Sequence, residues 1–139
     1  MKNEATIDNI TVGGQPSAEE LRSGRFQTVV NVRLDGEPGN ETAADLEGSG
    51  IAYTAVPYTI DTVTREDIAA IRAAVDAASG PVLIHCMGGT RAAVAAAIIG
   101  AARDGSGAAG ALRRAVEAGY GIAGTPYAAF IDEYFAKSR

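Results

Sequence analysis

The run Pro81-Val82-Leu83-Ile84-His85-Cys86-Met87-Gly88-Gly89-Thr90-Arg91 constrains this chain more than any other stretch. Val82 to Ile84 read as a short buried strand, punctuated by Gly80-Pro81 before it and by glycines after it. From Ala92 to Ala102 the sequence is alanine-rich and aliphatic without proline, so a buried helix is expected. Cys86 to Arg91 must then turn the chain from strand to helix. In such a turn the first amides of the helix have no intrahelical partner, and they carry the positive end of its dipole. That makes an anion cradle. A thiol at its rim ionises easily, because helix N-termini and nearby cations lower a cysteine pKa to roughly 3.5–7.5. Arg91 adds a planar fork suited to holding an oxyanion through two parallel hydrogen bonds. The pattern describes a nucleophile, Cys86, beside a pocket for a tetrahedral oxyanion.

The rest of the chain alternates strands with helices. Ile10 to Val12 is expected as a first strand, and Ser17-Ala18-Glu19-Glu20 matches a capping box opening a short helix that ends near Gly24. Thr28 to Val32 is β-branched and apolar, as a central strand requires. Leu34 to Asn40, with Gly36, Pro38 and Gly39, must be loop. Thr42 to Glu47 reads as a short helix ended by Gly48 and Gly50, and Ile51 to Val56 as a strand stopped by Pro57. Thr64, with Asp67 in the box position, caps a long helix through Ala78. After the cysteine loop, helices are expected at about Arg91 to Arg103, Ala108 to Ala118 and Pro126 to Lys137, the last with proline at its first position. This order predicts an α/β domain over residues 1–139: a small, mainly parallel four-stranded sheet flanked by helices. Sites in such sheets sit at the carboxyl ends of strands, where Cys86 falls.

Composition narrows the function. At 139 residues the chain fits one domain, and its 47% hydrophobic and 21% charged residues are ordinary for a globular protein. A net charge of −5 argues against nucleic acid as a partner. No signal pattern follows Met1, and no apolar run is long enough to span a membrane, so a cytoplasmic location is expected. A single cysteine excludes an internal disulfide and fits a reducing compartment. The only histidine is His85, and no cluster of metal ligands stands out, so neither metal nor other cofactor is expected. The oligomeric state is left open.

His-Cys, a glycine loop and an arginine at a helix start resemble the protein tyrosine and dual-specificity phosphatase superfamily. The resemblance extends to Gly13-Gly14-Gln15-Pro16-Ser17, Thr28-Val29-Val30-Asn31-Val32-Arg33-Leu34-Asp35-Gly36-Glu37, Gly50-Ile51-Ala52-Tyr53 and Val56-Pro57. These segments look like the phosphatase-like domain of the beta-lactamase-hydrolase-like bacterial proteins. The resemblance implies a cysteine-phosphatase-like fold and a phosphocysteine intermediate. It also implies an aspartate from a loop after a strand as general acid, for which Asp61 in Val56-Pro57-Tyr58-Thr59-Ile60-Asp61 is the candidate; the same position equally suits a turn or capping aspartate ahead of the helix at Thr64. Two features depart from the phosphatases. Only Met87, Gly88, Gly89 and Thr90 separate Cys86 from Arg91, where five residues are usual. One amide fewer, at about 1.5–3 kcal/mol for a hydrogen bond to a charge, weakens phosphate binding by roughly one to two orders of magnitude. Ala92 stands where a serine or threonine usually helps the thiolate to leave; the Thr90 hydroxyl lies nearby in sequence. The short spacing resembles rhodanese sulfurtransferases, which carry a persulfide on cysteine.

Three readings follow. In a phosphatase, Cys86 attacks phosphorus, Arg91 and the amides of Met87, Gly88, Gly89 and Thr90 hold the oxygens, and Asp61 protonates the leaving group. In a sulfurtransferase, Cys86 accepts a sulfane sulfur and Asp61 has no role. In a binding module, the cradle holds an anion without turnover. The partner is accordingly a phosphate or sulfur-containing oxyanion substrate. His85 is expected to orient the loop and tune the thiol rather than move protons. Asp35 and Glu37 are expected as solvated turn residues. Gln15, Arg33 and Tyr58 are expected either to line the entrance or simply to pack or bond the backbone.

Overall fold

In a computed structural model of the chain, which describes residues 1–137, the strand before the cysteine lies at the middle of the sheet. This strand, Val82–His85, is buried at every position, as an apolar strand covered on both faces must be. In chain order the elements are β1 Ala5–Ile7, β2 Ile10–Gly13, α1 Ala18–Leu21, β3 Thr28–Asn31, α2 Thr42–Leu46, β4 Ala52–Ala55, α3 Arg65–Ala77, β5 Val82–His85, α4 Thr90–Asp104, α5 Gly107–Glu117 and α6 Pro126–Ala136. Both expected capping boxes form, Ser17 with Glu20 and Thr64 with Asp67.

The described sheet runs β1-β2-β5-β3-β4. Strands β2, β5, β3 and β4 are mutually parallel, as expected of a mainly parallel sheet. A fifth strand, absent from the four-stranded expectation, is β1, which pairs antiparallel with β2. Asp8 and Asn9 between them both have positive φ, 47° and 72°, the conformation that matches a tight hairpin turn to strand twist. Three residues, Ala5-Thr6-Ile7, are too few to show a period of two, which is why the strand escapes a reading from pattern alone.

Alternation along the strands divides the core. Val12, Val30 and Ile84 belong to the larger apolar cluster with Ile98, Ile99 and the alanines of α4, while Val29 and Leu83 pack with Leu21, Phe26 and Leu46 of the α1–α2 side. Small alanines let α4 lie close on the sheet: Ala92 to Ala101 are all buried. Register then sets the site. Gly13 and Asn31 both pair with His85, and Asn31 pairs with Ala55. Four parallel strands therefore end level, and the loops after them (Gly14-Gln15, Val32 to Glu37, Val56 to Asp61 and Cys86 to Arg91) emerge at one edge.

Candidate active site

Cys86 leaves β5 with its amide donating to Gly13 O at 3.2 Å, and its side chain is 1% exposed. The loop then curls back so that the Gly89 amide donates to Cys86 Sγ at 3.0 Å. Gly89 caps α4 at φ 104°, ψ −21°, a left-handed conformation that glycine adopts without the penalty of a Cβ. The next amides, at the start of α4, lack intrahelical partners, since the first helical bond runs from Ala93 N to Gly89 O at 2.9 Å. Sulfur thus sits at the mouth of a helix N-terminus and already accepts one of its amides.

The loop is braced from outside. Asn3 Nδ2 donates to Gly88 O at 2.8 Å, Gln15 N donates to Met87 O at 3.1 Å, and Tyr120 OH donates to Asn3 O at 2.5 Å. Burial, and then the charge of Cys86, push the Tyr120 phenol up to about 12, so it stays protonated as a donor.

Arg91 is fixed by two residues. Its Nη1 donates to Glu37 Oε2 at 2.8 Å and to Tyr58 O at 3.1 Å, and its Nη2 donates to Glu37 Oε1 at 2.9 Å. Tyr58 completes the clamp by donating its hydroxyl to Arg91 O at 2.9 Å. Nε–H and the second Nη2–H of Arg91 make no hydrogen bond to protein among the described residues. These two lie on one edge of the planar group, which is the parallel fork a bound oxyanion needs. Hydrogen bonding to Glu37 raises the Arg91 pKa further, so the group is permanently charged.

Glu37 corrects the expectation of a solvated turn carboxylate. Its side chain is 14% exposed and pairs with both Arg91 and Arg33. The Arg91 hydrogen bond, with help from Leu34 N and Arg33 and against the cost of burial, holds its pKa down at about 2. Asp35, by contrast, is exposed as a loop residue should be.

Behind Glu37 runs a buried polar chain. Arg33, 2% exposed, donates through Nε to Glu37 Oε1 at 3.2 Å, through Nη1 to Gln15 Oε1 at 2.7 Å and through Nη2 to Pro38 O at 2.5 Å. Arginine cannot accept, so Gln15 must present its oxygen to Arg33 and its Nε2 to Thr42 Oγ1, at 2.9 Å. Thr42 Oγ1 lies 3.0 Å from His85 Nε2, and its hydroxyl proton has no other acceptor among the described residues. Thr42 therefore donates to Nε2, leaving the His85 proton on Nδ1, which faces Cys86 O at 3.4 Å. His85 is fully buried, and burial above all, with Arg33 and Arg91 adding to it, lowers its pKa to about 4. A neutral imidazole of fixed tautomer thus lies directly under the cysteine.

Asp61 lies on the turn after β4, exposed, with its amide donating to Thr59 Oγ1 at 3.3 Å. It does not cap α3, which Thr64 does, and its carboxylate makes no hydrogen bond or ion pair among the described residues. Burial first, and then the negative charges of Cys86 and Asp61 against that of Arg91, raise the pKa of the Tyr127 phenol on α6 and keep it protonated. Met87 points outward, 48% exposed, and Thr90 is half-buried. Ala92 is fully buried and brings no hydroxyl to the thiol.

The structure thus gathers His85, Cys86, Met87 to Thr90 and Arg91 in one continuous stretch, and shows Asp61 exposed on the turn after β4 with no hydrogen bond or ion pair to that stretch among the described residues. Sequence pattern missed the roles of Glu37, Arg33, Gln15 and Thr42. A usable signal existed for Arg33 and Glu37: charges placed just past the carboxyl end of an apolar strand, at the edge where sites form. Among the described residues no group of three or more His, Cys, Asp or Glu side chains is placed to hold a metal ion. Nor is any helix long and apolar enough to cross a membrane.

A level edge of parallel strands with a cysteine loop running into a buried helix is the fold of cysteine phosphatases. Tk-PTP in its active form superposes with a TM-score of 0.81 at 20% identity, covering 99% of this chain and 98% of that one. The core catalytic domain of the PP-IP phosphatase SIW14 from S. cerevisiae does so with a TM-score of 0.74 at 17% identity, covering 96% and 85%. Residues 9–103 match the family model of the beta-lactamase hydrolase-like protein, phosphatase-like domain, and the chain belongs to that family. The beta-lactamase hydrolase-like protein of Agrobacterium fabrum is 35% identical over 113 residues, 76% of this chain and 26% of that protein. The chain thus spans about a quarter of the length of that relative.

Proposed function

We propose that this chain is a cysteine-dependent phosphatase domain that hydrolyses phosphate monoesters. The observation that carries the proposal is the Cys86–Arg91 loop: sulfur held by the Gly89 amide, with an arginine held end-on by Glu37 so that its other edge is free. Cys86 Sγ attacks phosphorus as the ester oxygen departs, so an S–P bond forms while a P–O bond breaks. Arg91 and the amides of Met87, Gly88, Gly89 and Thr90 bear the charge on the three phosphoryl oxygens. Asp61 gives its proton to the leaving oxygen. Water then attacks the phosphocysteine, Asp61 takes the proton back, and Cys86 leaves as thiolate with inorganic phosphate released. His85 positions the loop and stays neutral throughout. A reducing cytoplasm suits a lone thiol of this kind.

The family and the structures named above support phosphoryl transfer over sulfur transfer, and the clamp on Arg91 suits a three-oxygen phosphoryl group. The direct test is hydrolysis of an aryl phosphate by the wild type beside Cys86→Ser and Asp61→Asn. Turnover is expected to vanish with the serine and to fall on the order of 10²–10⁴-fold with the asparagine. Full activity in Cys86→Ser would end the proposal. Uptake of one sulfur atom from thiosulfate, with no ester hydrolysis, would replace it with sulfur transfer.

A further inference from the structure

Two successive peptides of the cysteine loop are held from outside by their carbonyls. Met87 O accepts from the Gln15 amide at 3.1 Å, and Gly88 O accepts from Asn3 Nδ2 at 2.8 Å. A peptide is planar, and in the trans form its C=O and N–H point in opposite directions. With Gly88 O drawn outward by Asn3, the N–H of the same peptide, which belongs to Gly89, is turned inward. This is the N–H that Cys86 Sγ accepts at 3.0 Å. The torsions on either side of that peptide belong to two glycines, so the chain itself resists its rotation least here. Turned over, the peptide would set Gly88 O against the sulfur and against the oxygens of a bound anion, where a carbonyl dipole repels both.

The two pins differ in kind. Gln15 uses a backbone amide, which any residue but proline would supply. Asn3 uses its side chain, and a carbonyl can only accept, so its Nδ2 must face Gly88. Asn3 is itself held. Its backbone is left-handed at φ 56°, which asparagine tolerates better than most residues, and its carbonyl accepts the Tyr120 hydroxyl at 2.5 Å. Just before it Lys2 O accepts from the Gly14 amide at 2.7 Å, and just after it Glu4 pairs with Arg25. Asn3 and Tyr120 lie outside residues 9–103, so this pin stands apart from the stretch that matches the family.

We infer that Asn3 is a positioning residue of the anion loop. It acts through the Gly88–Gly89 peptide, keeping an amide rather than a carbonyl turned toward the thiol and the phosphoryl oxygens. The inference rests on the phosphatase reading of Cys86 and Arg91, and adds to it a side chain that holds the cradle in the form able to bind an anion.

Amide NMR of the full chain, titrated with inorganic phosphate, tests this role. Asn3→Gly removes the donor and leaves the left-handed backbone free of strain. Glu4→Gln, the next residue along, breaks only an exposed ion pair and serves as the control. In Asn3→Gly the Gly89 amide proton is expected to lose its hydrogen-bonded shift and to exchange faster with solvent. Phosphate affinity should fall roughly two- to tenfold with it, the worth of one intramolecular hydrogen bond. Glu4→Gln should match the wild type in both readings. A Gly89 amide that stays in place in Asn3→Gly, one that moves without loss of phosphate affinity, or an equal change in Glu4→Gln overturns the role of Asn3 and leaves the phosphatase reading intact. Failure of the wild type to bind phosphate, together with no hydrolysis of an aryl phosphate, overturns both.

Discussion

Arg91 meets Glu37 end-on, through Nη1 and Nη2 at 2.8 and 2.9 Å, and so turns its Nε edge free of protein partners. The same carboxylate receives Arg33, so two guanidinium groups share one carboxylate, and the second positive charge remains to offset the Cys86 thiolate and the incoming anion. That arrangement attracts an anion and fixes where its oxygens must lie.

Replacing Glu37 by glutamine tests this geometry. The amide turns one acceptor into a donor that faces a guanidinium, and Arg91 loses its fixed orientation. At one lost charge-assisted hydrogen bond, about 1.5–3 kcal/mol, the KM for a phosphate ester should rise by roughly one to two orders of magnitude. Steady-state kinetics decide it. A wild-type KM in Glu37→Gln would show that Arg91 needs no such support.

Glu37 and His85 together predict how stability falls with acid. His85 has its pKa lowered from 6.5 to about 4, chiefly by burial. Between those values the unfolded chain binds a proton that the folded chain refuses, so stability is complete above pH 6.5 and declines as pH drops toward 4. The depression corresponds to about 3 kcal/mol. Glu37, lowered from 4.5 to about 2 by Arg91 first of all, contributes stability that is complete above pH 4.5 and lost as pH falls toward 2. Urea unfolding across pH 2–8 should show two successive declines. His85→Gln should flatten the upper one and Glu37→Gln the lower; an unchanged upper decline in His85→Gln would refute the assignment.

Thr42→Val removes the one hydroxyl between Gln15 and His85 at nearly constant volume. Buried His85 Nε2 loses its only partner, which costs about 1–3 kcal/mol for an unsatisfied group, while the half-buried Gln15 Nε2 loses Thr42 and keeps Pro16 O at 3.2 Å. With Nε2 no longer the fixed acceptor, the imidazole can change tautomer and turn a bare nitrogen toward the Cys86 carbonyl. Both effects can be read: lower stability in denaturant, and imidazole nitrogen shifts that leave the Nδ1–H pattern. Wild-type shifts in Thr42→Val would mean that the tautomer is set elsewhere.

Much of this fold was legible because local signals agreed with one another. The capping boxes at Ser17 and Thr64, the apolar run into Cys86 and the alanine helix after it all stand close to where pattern places them. Cys86 and Arg91 were legible for the same reason, being neighbours in one loop. Glu37, Arg33, Gln15 and Thr42 were not. Their partners lie between 4 and 54 residues away, on loops brought level only by the register of β2, β5, β3 and β4. An exposed-looking Glu-Pro-Gly turn and a buried arginine clamp have the same local sequence, and only the sheet distinguishes them.

Gly88 and Gly89 are adjacent in sequence and should respond oppositely to alanine. Gly89 sits at φ 104°, and a Cβ on it would run into the Tyr120 hydroxyl. Strain of this kind costs about 1–3 kcal/mol, before the displaced tyrosine loses its bond to Asn3. The same shift moves the Gly89 amide that Cys86 Sγ accepts, so Gly89→Ala should lose both stability and turnover. A Cβ at Gly88 meets nothing within 4 Å, and its φ is not left-handed. Gly88→Ala should keep stability within about 0.5 kcal/mol of wild type. Tyr120→Phe removes the hydroxyl that blocks a Cβ at position 89, so the double variant should regain part of the stability lost by Gly89→Ala. The φ penalty prevents full recovery. Denaturant unfolding of the four proteins forms a double-mutant cycle, and strict additivity within about 0.5 kcal/mol would show that Tyr120 and Gly89 do not press on each other.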